Sequence, residues 1–276
     1  MCGRYTSTSS VEDLAKLFQV DEVRTDPLPA RYNVAPTLDV YAVAVRGRPD
    51  DGKGPRRALG TFRWGLVPSW AKDPSVGSRM INARAEGITG KPAYRQAVAR
   101  RRCLIPADAF YEWQRRTGHD GRPAGKLPYA IRRRDGQPMA FAGLWEVWRP
   151  GPVPEAAERP GPAREAAERP GPAPEAADSH PPAPDGEPLR TCAIVTTAAN
   201  DLMAPIHDRM PVVLAPEDWA TWLDPASDVE RAVGLLVPAP SEWFEVYPVS
   251  TLVNKVANDG PDLLVPLPAP PGPGAL

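Results

Sequence analysis

From Arg149 to Asp178 the chain repeats a ten-residue unit three times, RPGPVPEAAE, RPGPAREAAE and RPGPAPEAAD. Proline fixes φ and removes backbone donors, and the only apolar side chains the unit offers besides proline are Ala and Val. A unit with so little to bury cannot offset the entropy of being ordered, and repeats that do stack into a core have longer periods and larger apolar anchors. The stretch 149–188 holds 12 of the 37 prolines and no Trp, Tyr, Phe, Ile or Cys. It is predicted to be a disordered, partly polyproline loop. A packed fold must therefore come from the other residues, about 236, which hold all 8 Trp, 7 Tyr and 5 Phe, enough for one large domain or two small ones.

The flanks of the repeat, AFAGLWEVW before it and LRTCAIVTT after it, are rich in strand-forming residues, so the loop is expected to join two strands of one domain. This gives a single domain over 2–265, interrupted at 149–188, and a disordered tail over 266–276 (PLPAPPGPGAL). Further strands are expected at 39–45, 59–66, 128–134, 138–148, 190–197, 210–215 and 244–250. Helices are expected at 10–19 behind a Ser cap, at 92–101, at 216–223 behind Pro216, and at 227–236, where Ser227 and Glu230 read as a capping box. Many short strands with scattered helices and no regular βαβ alternation predict an α+β fold, mostly antiparallel and barrel-like, with flanking helices.

The net charge of −1 conceals an uneven distribution: the repeat region has four Arg against eight Asp or Glu, leaving the remainder at +3. Arginine runs at 100–102 and 132–134 either build a positive groove or are solvated beside acidic neighbours. The opening MCGRYTSTSS has no secretory pattern and no stretch reaches 18 apolar residues, so neither secretion nor a membrane partner is expected. Cys2, Cys103 and Cys192 show no CxxC spacing, which argues against both a disulfide scaffold and a structural zinc site. A cytoplasmic protein with no metal or cofactor is the expectation.

Cys2 is the most informative single residue. Removal of Met1 would leave a cysteine carrying both a free α-amine and a thiol, a 1,2-aminothiol whose two nucleophiles titrate at about 8 and 8.5. Aldehydes condense with such an amine, and the thiol then closes a five-membered thiazolidine. The plain alternative is a cysteine that follows Met by chance. His180 falls in the repeat region and His119 in a turn, leaving His207, in API-His-DRMP, as the histidine of a packed site, either structural or a proton carrier. Glu112, between Tyr111 and Trp113, is either a solvent-facing strand residue or a buried carboxyl with a raised pKa. Asn82 and Arg84 in INARAEG share a face if extended, and with Arg4, Arg209 and the tryptophans of RWGLVPSW they suggest a platform for single-stranded nucleic acid. Strand tryptophans can equally belong to a core.

Taken in order, CGRYT, RYNVAPT, RWGLVPSW, INARAEG, RRCLIPADAFYEWQ, GLWEVW, CAIVTTAAN and IHDRMPVVL resemble the SRAP family, the SOS-response-associated peptidase proteins that shield abasic sites in single-stranded DNA. The resemblance spans residues 2 to about 266. It implies an α+β domain around a barrel-like sheet with a positive DNA groove, and a mature N-terminal Cys2 linked through a thiazolidine to the ring-opened sugar aldehyde. It further implies that Asn82 holds the sugar oxygen, that Arg84 holds a phosphate, and that Glu112 and His207 move protons. Arg4, Asn33, Pro36, Trp70, Thr196 and Arg209 would line the DNA path. Two departures from the family pattern are the repeat and the longer stretch DPSVGSRM between Trp70 and Asn82, which leaves the base-wedging residue unassigned. The implied partner is single-stranded DNA containing abasic sites, bound by a monomer, with a partner of the Pro-rich loop left open. A cysteine peptidase built on Cys2, His207 and Glu112, an abasic-site lyase working through a Schiff base, and a non-covalent single-strand binder are the competing readings.

Overall fold

The computed structural model describes residues 2–46, 55–117, 122–150 and 187–268. The expected disorder of the repeat and of most of the tail, and the turn assigned to His119, lie outside the described residues, as do His180 and Met1.

Thirteen strands and four α-helices follow one another in the described chain. They are β1 (Tyr5–Ser7), α1 (Val11–Leu17), β2 (Glu22–Val23), β3 (Arg31–Val34), β4 (Asp39–Arg46), β5 (Arg56–Trp64), β6 (Asn82–Arg84), α2 (Arg95–Arg100), β7 (Arg102–Ala107), β8 (Ala109–Thr117), β9 (Pro123–Arg133), β10 (Met139–Trp148), β11 (Leu189–Ala198), β12 (Arg209–Pro211), α3 (Trp219–Leu223), α4 (Val229–Gly234) and β13 (Phe244–Pro248). Strands β11, β10, β7, β4 and β5 pair in succession, all antiparallel, and β5 then returns to β11 through the parallel pairs Arg63↔Thr191 and Trp64↔Cys192. The sheet therefore closes into a five-stranded ring. A second sheet, in the order β13-β9-β8-β1-β3, is antiparallel throughout. This is the α+β, mostly antiparallel, barrel-like architecture expected from sequence.

Period-2 alternation along the ring strands builds two apolar layers. Val40, Ala42, Phe62, Trp64, Cys103, Ile105, Phe141, Cys192 and Ile194 face the layer that contains Cys2 and Tyr5 together with Phe110 and Ile131 of the second sheet. Their sequence neighbours Tyr41, Val43, Leu104, Ala142, Ala193 and Val195 face the helices, meeting Leu14 and Phe18 at α1, Val98 of α2 and Trp222 of α3. Gly143 sits where β10 crosses β7: a Cβ there would lie 2.8 Å from the Cys103 sulfur, so only hydrogen fits. Gly65 ends β5 two residues before the expected boundary, because its φ of +127° turns the chain and a Cβ would sit 2.6 Å from the Gly77 carbonyl oxygen.

β10 and β11 pair to their ends, Trp148 opposite Leu189. The proline-rich insertion thus leaves and re-enters at adjacent positions of one hairpin, as the flanking strand signals implied. Several boundaries differ from expectation. The Ser cap of α1 is real, Ser10 accepting from the Asp13 N–H, but α4 is capped by Asp228, whose carboxylate accepts from the N–H groups of Glu230 and Arg231, in place of the expected Ser227 box. The helix behind Pro216 begins as a 3-10 turn, and the 210–215 strand pairs regularly only over β12, with Val213 making a lone bridge to Phe141. The arginine runs are mostly matched internally. Arg102 is buried and donates to the carbonyls of Val98, Ala99, Trp222 and Asp224, while Arg101 pairs with Glu146, Arg132 with Glu245 and Arg133 with Asp135.

Candidate active site around Cys2

Cys2 precedes β1, whose pairing with β8 carries the N-terminal segment into the apolar layer between the two sheets, and its side chain is fully buried. Asn82 reaches it from β6: its Nδ2 donates to the Cys2 carbonyl at 2.8 Å. β6 is held parallel to β11, Asn82 opposite Ile194 and Arg84 opposite Thr196, so the Asn-Ala-Arg spacing of two puts Asn82 and Arg84 on one side. The Asn82 Oδ1 is buried with no hydrogen-bond partner among the described residues, and Tyr94 steadies the strand by donating to the Asn82 carbonyl at 3.1 Å.

Glu112 lies on β8 and is only 2% exposed. Alternation along β8 sends Tyr111 to a third apolar cluster, while Phe110 and Glu112 point to the Cys2 side. Burial pushes the Glu112 carboxyl above its ordinary range, an effect partly offset by attraction from the chain's amino terminus and from His207. Burial also pushes the Cys2 thiol well above its ordinary range; the charge of Glu112 adds to that, and a hydrogen bond from the Arg4 N–H opposes it. Glu112 is thus electrostatically coupled to both Cys2 and His207, three residues separated by 110 and 95 positions in sequence.

His207 stands at the end of the 200–207 turn, its N–H donating to the Met203 carbonyl at 3.0 Å. Its Nδ1 accepts the Arg209 N–H at 2.9 Å, so in the neutral ring the proton resides on Nε2. The Asp208 carboxylate, 3.0 Å from the same nitrogen, can pair only with the imidazolium. Gln114, two residues beyond Glu112 on the same side of β8, donates to the Pro205 carbonyl at 3.0 Å and ties this turn to the sheet.

The residues expected to touch DNA divide into groups. The half-buried Arg4 donates through Nη1 to Asn33 Oδ1 at 2.9 Å and to the Val253 carbonyl at 3.0 Å, and burial lowers its guanidinium pKa. Asn33 spends its own amide on the carbonyls of Val253, Lys255 and Asn258, which makes it a brace for Arg4 and for the 251–258 segment. Arg209 forks onto Glu86 at 2.6 and 2.9 Å and donates to the carbonyl of the buried Thr196 at 2.6 Å. Arg84 is exposed beside them. Trp70 is 67% exposed in a turn, and Pro36 occupies the β3–β4 turn; among the described residues no hydrogen bond or ring contact joins either to the Cys2 group. Trp64, by contrast, belongs to the core. A cleft of about 390 Å³ lined by Gly3, Arg4, Trp113, Lys126 and Asn254 opens beside Cys2, with two cations and an aromatic ring on its walls.

Glu86 and Gln114 were not singled out from sequence, although both sit in segments that were. Their partners Arg209 and Pro205 lie 123 and 91 residues away. The usable signal was period 2, since Gln114 follows Glu112 by two on a strand. Among the described residues no group of three His, Cys, Asp or Glu side chains is arranged to hold a metal. No helix there is long and apolar enough to cross a membrane.

Residues 1–256 match the model of the SOS response associated peptidase (SRAP) family. The chain belongs to the SRAP family. Similar SRAP relatives include the abasic site processing protein YoqW of Bacillus subtilis, 38% identical over 266 residues and covering 96% of this chain and 99% of that protein. The abasic site processing protein HMCES of Gallus gallus is 34% identical over 240 residues, covering 79% of this chain and 60% of its own length. A crystal structure of a Bacteroides thetaiotaomicron protein, 21% identical, superposes with a TM-score of 0.71 over 96% of this chain and 100% of that one, which establishes the likeness of fold.

Proposed function

We propose that this chain processes abasic sites by capturing them covalently: once Met1 is removed, Cys2 traps the sugar aldehyde of an abasic site in single-stranded DNA as a thiazolidine. The observation that carries this reading is the buried group of Cys2, Asn82 and Glu112, in which a carboxyl whose proton affinity burial raises lies within electrostatic reach of Cys2. The names of the relatives support the substrate.

The chemistry balances with these residues alone. The Cys2 amine adds to the aldehyde carbon and gives a carbinolamine. Glu112, whose proton is held more firmly because the carboxyl is buried, donates it to the departing hydroxyl, so water leaves and an iminium forms. The Cys2 sulfur then bonds to the iminium carbon, the nitrogen recovers its electron pair, and the thiol proton passes to the Glu112 carboxylate. Aldehyde and aminothiol become thiazolidine and water, with Glu112 restored. A thiol whose pKa is raised needs such a base at the moment of attack. His207 serves the sugar ring oxygen during opening, Asn82 holds a sugar oxygen, and Arg84 and Arg4 meet phosphates. Single strands are preferred because a duplex would have to unstack first.

Incubation with an abasic single-stranded oligonucleotide tests this. Wild type is expected to give a heat-stable adduct and Cys2→Ala none. Cys2→Ser keeps the amine and should give only an imine that survives after borohydride reduction. A heat-stable adduct of equal yield from Cys2→Ala would defeat the assignment, and strand cleavage without a retained adduct would favour the lyase reading.

A further inference from the structure

At the far end of the ring from Cys2, arginines converge where no chemistry has been placed. A cleft of about 520 Å³ is lined by Arg24, Arg46, Arg56, Arg149 and Arg190, with Trp145 on its wall. It lies where β4 and β10 end and where β5 and β11 begin. Between Arg190 and Ile194, which pairs with Asn82, four residues along β11 span about 13 Å, so the cleft and the Asn82 region lie at different positions along the strand. Glu22 is the one acidic side chain lining it, and it is engaged with Arg24 at 2.7 Å.

The remaining charges oppose one another. Arg46 is paired directly across from Arg56 in the β4–β5 ladder, and like charges in that position destabilise a sheet. Arg190 and Arg24 repel the Arg46 guanidinium, which burial already disfavours. Among the described residues no carboxylate lies within ion-pair distance of Arg46, Arg56, Arg149 or Arg190. All five cations are arginine, the side chain that grips phosphate through two parallel N–H donors, and the partly exposed Trp145 offers a ring to a base.

We propose that this cleft is a second phosphate-binding site, taking backbone phosphates of the nucleic acid whose damaged sugar is held at Cys2. The nucleic-acid identity of the anion rests on the function proposed above; the anion site itself rests on the clustered arginines and the lack of carboxylate partners for four of them among the described residues. A strand long enough to reach both sites would bind more tightly than one confined to the Cys2 cleft.

The test is fluorescence anisotropy on the full chain with a long single-stranded oligonucleotide lacking abasic sites, comparing wild type with the Arg46→Gln/Arg190→Gln double variant over a salt series. The variant is expected to bind about tenfold more weakly and to lose about one unit or more of the slope of log K against log salt, since each phosphate contact on a single strand contributes about 0.7. Adduct yield with a short abasic oligonucleotide, which reads the Cys2 function separately, should be unchanged. Thermal melting should show the variant at least as stable as wild type, which separates lost binding from lost fold. Equal affinity and slope in the two proteins would overturn the proposal. So would a difference that emerges only after 151–186 is deleted, which would assign the cleft to the acidic insertion tethered at Arg149 and Pro188 on its rim. Displacement of the oligonucleotide by pyrophosphate or ATP at equal phosphate concentration would assign it to small phosphates.

Discussion

Toward the C-terminal end of β11, Arg209 is forked on Glu86 and bonded to Thr196, whereas at the N-terminal end Arg190 faces Arg46 without a carboxylate in reach among the described residues. The first arrangement satisfies its charge internally and fixes the walls around Asn82. The second leaves like charges pressed together at a cost in stability. A matched arginine builds the site, and one without a carboxylate among the described residues is where the proposed phosphate would bind. The same contrast holds for acids: Glu112 is buried and driven toward its neutral form, while Glu22 at the other end is held in its charged form chiefly by its hydrogen bond to Arg24.

The sharpest break between the two ends is chemical. Glu112→Gln is expected to slow adduct formation by about 10²- to 10⁴-fold, the usual weight of a positioned proton donor, with little change in affinity for undamaged single strands. The pH profile gives the sign. Because burial raises the Glu112 pKa, its donor form is lost as pH climbs through that raised value, so the wild-type rate should fall on the alkaline side, while protonation of the amine limits it on the acid side. Glu112→Gln should remove the alkaline limb alone; stopped-time adduct assays across pH would show it.

At the opposite end, replacing the 40 residues 149–188 by a turn of about five is expected to stabilise the protein by about 2 kcal/mol if loop-closure entropy alone decides, since each halving of a connection then relieves about 0.6 kcal/mol. Trp148 and Leu189 are already paired, so register is preserved and adduct yield should not move. A melting temperature that drops on deletion would show that the insertion packs on the domain. Smaller still are two arginine substitutions of opposite sign. Arg209→Ala should destabilise by about 1 kcal/mol, a charged hydrogen-bond loss discounted for the solvent exposure of Glu86, whereas Arg190→Gln should stabilise by a few tenths. Equal signs in thermal melts would erase the distinction between the ends.

How much of this was legible in sequence depended on distance along the chain. β10 and β11 alternate clearly and are bounded by the repeat, so they and their connection were readable. β7 and β8 were not among the expected strands; Pro106 is tolerated opposite Ala140, and Asp108 ties down Thr8 and Ser9 at the strand corner. α4 was misread at its cap because Asp228 and Ser227 are adjacent and both can serve. Within the site, Cys2 announced itself by position and the Asn82–Arg84 spacing by period. The burial of Glu112 could not be read locally, since a Tyr-Glu-Trp triplet has opposite faces whose environments only the pairing of β8 between β1 and β9 decides. The Arg209–Glu86 fork was equally hidden, created when β6 and β12 both dock on β11.

Intact-mass measurement before and after exposure to an abasic oligonucleotide addresses the aminothiol at Cys2 most directly. The expected result is a free chain lacking Met1 and a single adduct whose mass is that chain plus the oligonucleotide less one water, formed by wild type and absent from Cys2→Ala. An adduct that retains Met1, or one that persists in Cys2→Ala, would contradict it.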